Sequence, residues 1–100
     1  MQNSHVLEIA IFKVKPECVE DMVSLRAGLR EALKGFPGLI EFCGYYPIDT
    51  GIYADIVKWD SQQNALSAAK AFESGDPRFL PYMNAIAELS FMGHFVPEQV

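Results

Sequence analysis

Cysteine is scarce in this sequence, and the two present, Cys18 and Cys43, form no CxxC pair and no cluster with histidine. That spacing excludes a disulfide scaffold and a structural zinc site, and it points to free thiols in a reducing compartment. Histidine is as scarce, with only His5 and His94, so no built-in metal centre is expected. Basic residues fall short too: 8 Lys and Arg stand against 13 Asp and Glu, a net charge of −5. Nucleic-acid binding needs a basic surplus to displace counterions, and anionic membrane surfaces attract the same sign, so both partners are excluded. No apolar run approaches the ~20 residues that span a bilayer. The opening MQNSHVLEIAIFKVKP carries no basic leader, and Glu8 interrupts its apolar stretch, so no secretory signal is read and the cytoplasm is the expected location.

Hydrophobic side chains are plentiful, at 50% of 100 residues against 21% charged. The chain is therefore expected to be one globular domain over residues 1–100, with its core at about 5–96. VLEIAIFKV, Val6 to Val14, is rich in β-branched and aliphatic residues and reads as a first strand. Pro16 suits a first helical turn, and Glu17, Glu20 and Asp21 favour the positive end of the helix dipole. Met22, Leu25, Leu29, Ala32, Leu33 and Phe36 then form one apolar stripe, ended by Gly35 and Pro37-Gly38. Leu39 to Tyr46 and Ile52 to Trp59 read as two strands of a hairpin turned by Asp49-Thr50-Gly51. Ser61 is a plausible N-cap for a helix whose apolar set is Ala65, Leu66, Ala69 and Phe72. Gly75-Asp76-Pro77 breaks it, Arg78 to Ala87 reads as a short helical piece, and Leu89 to Val96 as the last strand. The order β-α-β-β-α-β is the ferredoxin-like α+β plan, a four-stranded antiparallel sheet with its helices on one face.

Strand parity divides the sheet. One face carries Leu7, Ile9, Ile11, Ile52, Ala54 and Ile56, joined by Leu89, Phe91, Gly93 and Phe95, and is apolar. The other mixes Val6, Glu8, Ala10, Phe12, Tyr53, Asp55, Val57 and Trp59 with Ser90, Met92, His94 and Val96. Helices cover only one face, and a bare apolar face exceeds what a monomer tolerates in water. The mixed face is therefore expected under the helices, around a cavity, and the apolar face against a second copy in a homodimer.

Four stretches carry a family resemblance: FKVKPE (Phe12 to Glu17), FPGLIEF (Phe36 to Phe42), VKWDSQQNALSAAKAF (Val57 to Phe72) and DPRFLPYM (Asp76 to Met83). In order and spacing they resemble the antibiotic-biosynthesis-monooxygenase-like (ABM) group of the dimeric α/β-barrel superfamily. The resemblance implies two ferredoxin-like subunits packed sheet on sheet. It also implies a choice among cofactor-free oxygenation of polyphenols, haem degradation, isomerisation, and decarboxylation or cyclisation of polyketides. Quinol-oxidising members place an Asn four residues before the Trp, where this chain has Asp55 before Trp59. Haem-degrading members use a first-strand Asn and a second-helix His; here Ala10 stands near the first, and no histidine lies between Val6 and Gly93.

Asp55 and Glu8 are acidic residues inside apolar strands, where burial raises a carboxyl pKa and suits it to general-base work. His94 shares their face and could approach Glu8, making a carboxylate-oriented imidazole. These three are the catalytic candidates. Trp59 as a flat pocket wall, Tyr53 and Tyr82 as phenols, and Arg78 as a clamp for an anionic oxygen are the substrate-binding candidates; core packing or surface pairing are the competing readings. The expected function is a cofactor-free monooxygenase-like enzyme acting on an aromatic or polyketide-like small molecule. The alternatives are a non-catalytic small-molecule-binding or stress-associated dimer, and a proton-transfer isomerase on the same fold.

Overall fold

The computed structural model describes residues 5–98. Strand β1 (Val6–Val14) leads through a 3-10 turn (Pro16–Asp21) into α1 (Met22–Lys34), and then into β2 (Leu39–Tyr45) and β3 (Ile52–Trp59). Helix α2 (Gln62–Glu73) follows, then a second 3-10 turn (Pro77–Phe79), the short helix α3 (Leu80–Ala85) and β4 (Ile86–Phe95). The strands lie in the order β2-β3-β1-β4, and every neighbouring pair is antiparallel. This is the ferredoxin-like α+β architecture expected from the element order.

Local chemistry explains the boundaries. Pro16 starts its turn where a missing N–H costs nothing, and the chain tightens into 3-10 geometry before α1 takes over at Met22. Ser61 caps α2, its Oγ accepting the Asn64 N–H at 3.2 Å. Gly38, at φ 90°, makes the bend into β2, and its carbonyl accepts the Asp60 N–H at 2.8 Å, tying the start of β2 to the end of β3.

The mixed face of the sheet is the one beneath the helices. Along β3 burial alternates residue by residue, with Tyr53, Asp55, Val57 and Trp59 buried, and Val6, Phe12 and Phe42 join them from β1 and β2. Met22, Leu29 and Leu33 of α1 pack against this face, as do Ala65 and Ala68 of α2 with Phe79 and Tyr82. The opposite face carries Leu7, Ile9, Ile11, Ala54 and Ile56 half-buried, with Phe91 46% and Phe95 44% exposed.

The structure corrects several expectations. Helix α2 turns Ala65, Ala68 and Ala69 inward and leaves Leu66 exposed, because small side chains let it sit close on the sheet. Tyr46 lies just outside β2. The last strand begins at Ile86, not Leu89, since Ile86 and Glu88 pair with Val14 and Lys13 at the far end of β1. The register of β1 with β4 shifts between Ile11 and Phe12: Ile11 faces Phe91 while Phe12 faces Leu89. Ser90 is therefore a bulge residue, and Leu89 rather than Ser90 shares the helix side with Met92 and His94.

Candidate functional site

Between the helix-covered face of the sheet and the three helices lies a cavity of about 60 Å³. Its walls are apolar, with Phe12, Phe42, Phe72 and Phe79 the largest, and its polar side chains are Glu8, Asp55 and Tyr82. Leu89 is the one exposed lining residue, so the cavity meets solvent beside the edge strand β4. The bulge at Ser90 puts it there.

Asp55 sits in a closed ring of hydrogen bonds. Arg26 of α1 donates from Nη2 to Asp55 Oδ1 at 2.7 Å and from Nε to the Tyr82 oxygen at 3.3 Å. The Tyr82 hydroxyl donates to Asp55 Oδ2 at 2.6 Å. Arg26 and Asp55 are each 4% exposed. Burial pushes the Asp55 carboxyl above its ordinary range, against the pull of the Tyr82 hydrogen bond and the Arg26 charge. With a guanidinium at 2.7 Å we assign it the ionised form. Tyr82 is raised far above an ordinary phenol, by burial first and the Asp55 charge second, so it stays a donor. Gly44, opposite Asp55 in the sheet, makes room for the ring: a Cβ there would stand 2.5 Å from Arg26 Nε and 2.7 Å from Cζ.

Glu8 is held differently. Its Oε1 accepts the Trp59 indole N–H at 3.1 Å and lies 3.6 Å from His94 Nε2, its cross-strand neighbour. Burial raises this carboxyl also, opposed by His94 and the Trp59 hydrogen bond. Glu8 thus faces the cavity on one side and the less enclosed His94 on the other, whose Nε2 is buried without a hydrogen-bond partner among the described residues.

The structure brings together Glu8, His94, Asp55 and Tyr82 and separates the rest. Trp59 has no exposed surface and does not line the cavity; it is a core residue whose N–H orients Glu8, not a pocket wall. Tyr53 stacks on Phe12 in the core with ring centroids 6.0 Å apart, also away from the cavity lining. Arg78 is exposed, bonds Asp76 at 2.8 and 3.0 Å and lies over the Phe36 ring, so it clamps no ligand in this cavity. Cys18 and Cys43 are free thiols, and among the described residues no group of three or more His, Cys, Asp or Glu could hold a metal ion. No helix of the described residues is long and apolar enough to cross a membrane.

Arg26 escaped the sequence reading. Its signal was there: it sits four residues after Met22 and three before Leu29, a charge on an apolar stripe, and Gly44 interrupts the strand that faces Asp55.

A four-stranded antiparallel sheet of this order, roofed by helices over an apolar cavity, is a ferredoxin-like α+β fold, and it is the fold of solved proteins provisionally named antibiotic biosynthesis monooxygenases. No protein-family model matches the sequence and no curated protein matches it. Among solved structures it is similar to a Bordetella bronchiseptica protein provisionally named an antibiotic biosynthesis monooxygenase, at TM-score 0.76 and 17% identity over 98% of this chain and 99% of that one. A Chloroflexus aurantiacus protein with the same provisional name matches at TM-score 0.70 and 20% identity, covering 96% of this chain and 95% of the other. SnoaB, a cofactor-independent oxygenase from Streptomyces nogalater, matches at 0.71 and 19%, with the same coverage of 96% and 95%. At these identities the likeness is one of fold.

Proposed function

We propose that this chain is a cofactor-independent monooxygenase-like enzyme, a small cytoplasmic homodimer acting on an aromatic or polyketide-like small molecule. One observation carries the reading: an apolar, aromatic-lined cavity holds two buried carboxylates and a phenol as its polar groups. The walls match an aromatic body in chemistry and the carboxylates match its hydroxyl; at about 60 Å³ the cavity must widen to admit one, since a benzene-binding cavity measures about 150 Å³. Fold likeness to a cofactor-independent oxygenase supports dioxygen as the co-substrate.

In this reading Glu8 takes the proton of the bound hydroxyl, and His94 relays it outward. Asp55, fixed by Arg26 and Tyr82, accepts a hydrogen bond from the substrate. The aryloxide gives electrons to dioxygen and a carbon–oxygen bond forms; the resulting peroxide anion takes a proton back and, with the hydrogen of the same carbon, loses water to leave a quinone. Overall, one phenol and one O₂ give one quinone and one water; the substrate supplies all four electrons.

A second reading, a non-catalytic small-molecule-binding dimer, draws on the complete pairing of Asp55. Native mass spectrometry of freshly purified protein, followed by oxygen-electrode assays over a panel of hydroxylated naphthalenes, separates them. Oxygen uptake that falls at least ~100-fold in Glu8→Gln supports the oxygenase. Binding without uptake favours the second reading, and turnover under strict anaerobiosis favours a proton-transfer isomerase.

A further inference from the structure

We propose that Arg26 is a positioning residue: it fixes Asp55 as an ionised acceptor facing the cavity, leaving Glu8 as the carboxyl that exchanges protons. The inference rests on reading the cavity as a ligand site. Arg26 does not itself line the cavity, whereas Asp55 and Tyr82 do, so it reaches a ligand only through those two. Its guanidinium is fastened from several sides. Nη2 donates to the carbonyls of Tyr45 at 3.1 Å and Ala54 at 3.3 Å as well as to Asp55, and the rings of Tyr46 and Tyr53 lie 4.9 and 5.5 Å from Cζ. Gly44 supplies the missing Cβ that the guanidinium replaces. The two carbonyls supply acceptors that a buried guanidinium needs, Nη1 being left without one among the described residues, and the glycine fixes where the guanidinium lies beside Asp55.

The two cavity carboxyls are thereby made unlike. Asp55 meets Arg26 from α1 and Tyr82 from α3, with Glu8 from β1 as the other charge that senses it. Strand β2 presents Gly44, and α2 presents Ala68 and Phe72 to the cavity. Glu8 has no guanidinium, only an indole N–H and an imidazole at 3.6 Å. One group is held by a guanidinium and a phenol and the other has neither, which is how two like residues come to hold different roles.

The test is the titration of the Asp55 side-chain carboxyl by carbon NMR, assigned with Asp55→Asn, in the wild type and in Arg26→Met, Arg26→Lys and Gly44→Ala. Removing the guanidinium should move the Asp55 titration upward by about one to three pH units. Gly44→Ala keeps every charge and displaces only the guanidinium, so it should shift the titration the same way by less; it also decides the matter if Arg26→Met fails to fold. A purely structural Arg26 would lower stability and move the titration but leave 1-naphthol affinity unchanged in the folded variants; that result, or an unchanged Asp55 titration in Gly44→Ala, overturns the proposal. In parallel, 1-naphthol affinity in Arg26→Met should fall about tenfold relative to the wild type for each pH unit below the shifted value, any dependence on Glu8 being common to both. A carboxyl shift with no naphthol binding to the wild type would overturn the cavity reading and leave the coupling of Arg26 to Asp55 standing.

Discussion

A carboxylate taken out of water costs folding free energy unless its charge is met, and Glu8 and Asp55 are met unequally. Glu8 has a folded pKa above its ordinary 4.5, with burial the main cause. The protonated form is therefore favoured by folding: its contribution is fully present below the ordinary value and is lost as pH rises through the folded one. Glu8→Gln keeps an acceptor for the Trp59 N–H and removes the charge. It should stabilise the fold by about 1 kcal/mol at pH 8 and by less near pH 5, measured by urea denaturation at both. Asp55→Asn should do the reverse. It leaves the Arg26 guanidinium buried without its counter-charge, and breaking such a pair costs about 3–5 kcal/mol. A neutral Asp55→Asn would show that the ring around Tyr82 is not held by charge. Strand parity put Glu8 and His94 on one face of neighbouring strands, and the register that makes them cross-strand neighbours is written in the pairing, not in the sequence of either strand. Arg26 was not readable in that way. A lone arginine on a helix is ordinarily solvated, and what buries this one is a partner carboxylate 29 positions away and a glycine on a third element.

Elements built from local chemistry were legible, and those set by pairing were not. The first strand, the hairpin and the Ser61 cap follow from β-branched runs, turn residues and a hydroxyl before a helix. Ser61→Ala should accordingly cost about 1 kcal/mol, read from the urea midpoint, and Ser61→Asp should restore most of it. A full effect in Ser61→Ala with no recovery in Ser61→Asp would mean that the hydroxyl serves something other than the Asn64 N–H. The start of β4 was misplaced because Ile86 to Glu88 have no strand signal of their own; they extend because β1 runs to Val14 and offers them partners. The bulge at Ser90 is hidden for the same reason, since a register shift belongs to two strands and is written in neither. Its consequence is functional, as it turns Leu89 to the mouth of the cavity. The choice of Ala68 over Leu66 was likewise a matter of distance between helix and sheet, which periodicity does not contain.

At the scale of the whole molecule, the two faces of the sheet separate two tasks. Every residue lining the cavity lies on the helix-covered side of the sheet. The other side presents Leu7, Ile9, Ile11, Ala54 and Ile56, with Phe91 and Phe95 close to half exposed; its charged residues include Glu41 and Lys58 at paired positions of β2 and β3, and Lys13 3.8 Å from Glu88 at one end. A face of that composition left in water is costly at ~25 cal/mol per Å², and in the proposed homodimer a second copy of the same face would cover it by two-fold symmetry. Ile9 lies near the centre, flanked by Ile56 on β3 and Gly93 on β4, so a charge placed there would be buried in the dimer and solvated in the monomer. Ile9→Glu should therefore move the protein from dimer to monomer in sedimentation equilibrium while its far-UV circular dichroism stays that of the wild type. The cavity should survive the change, since its walls and its polar groups lie on the opposite side of the same strands. Naphthol affinity within about threefold of wild type in monomeric Ile9→Glu would show that each subunit carries a complete site. Loss of binding on monomerisation would instead make the partner's contact part of what holds the cavity in shape, and a wild type that is already monomeric would remove the sheet-on-sheet dimer altogether.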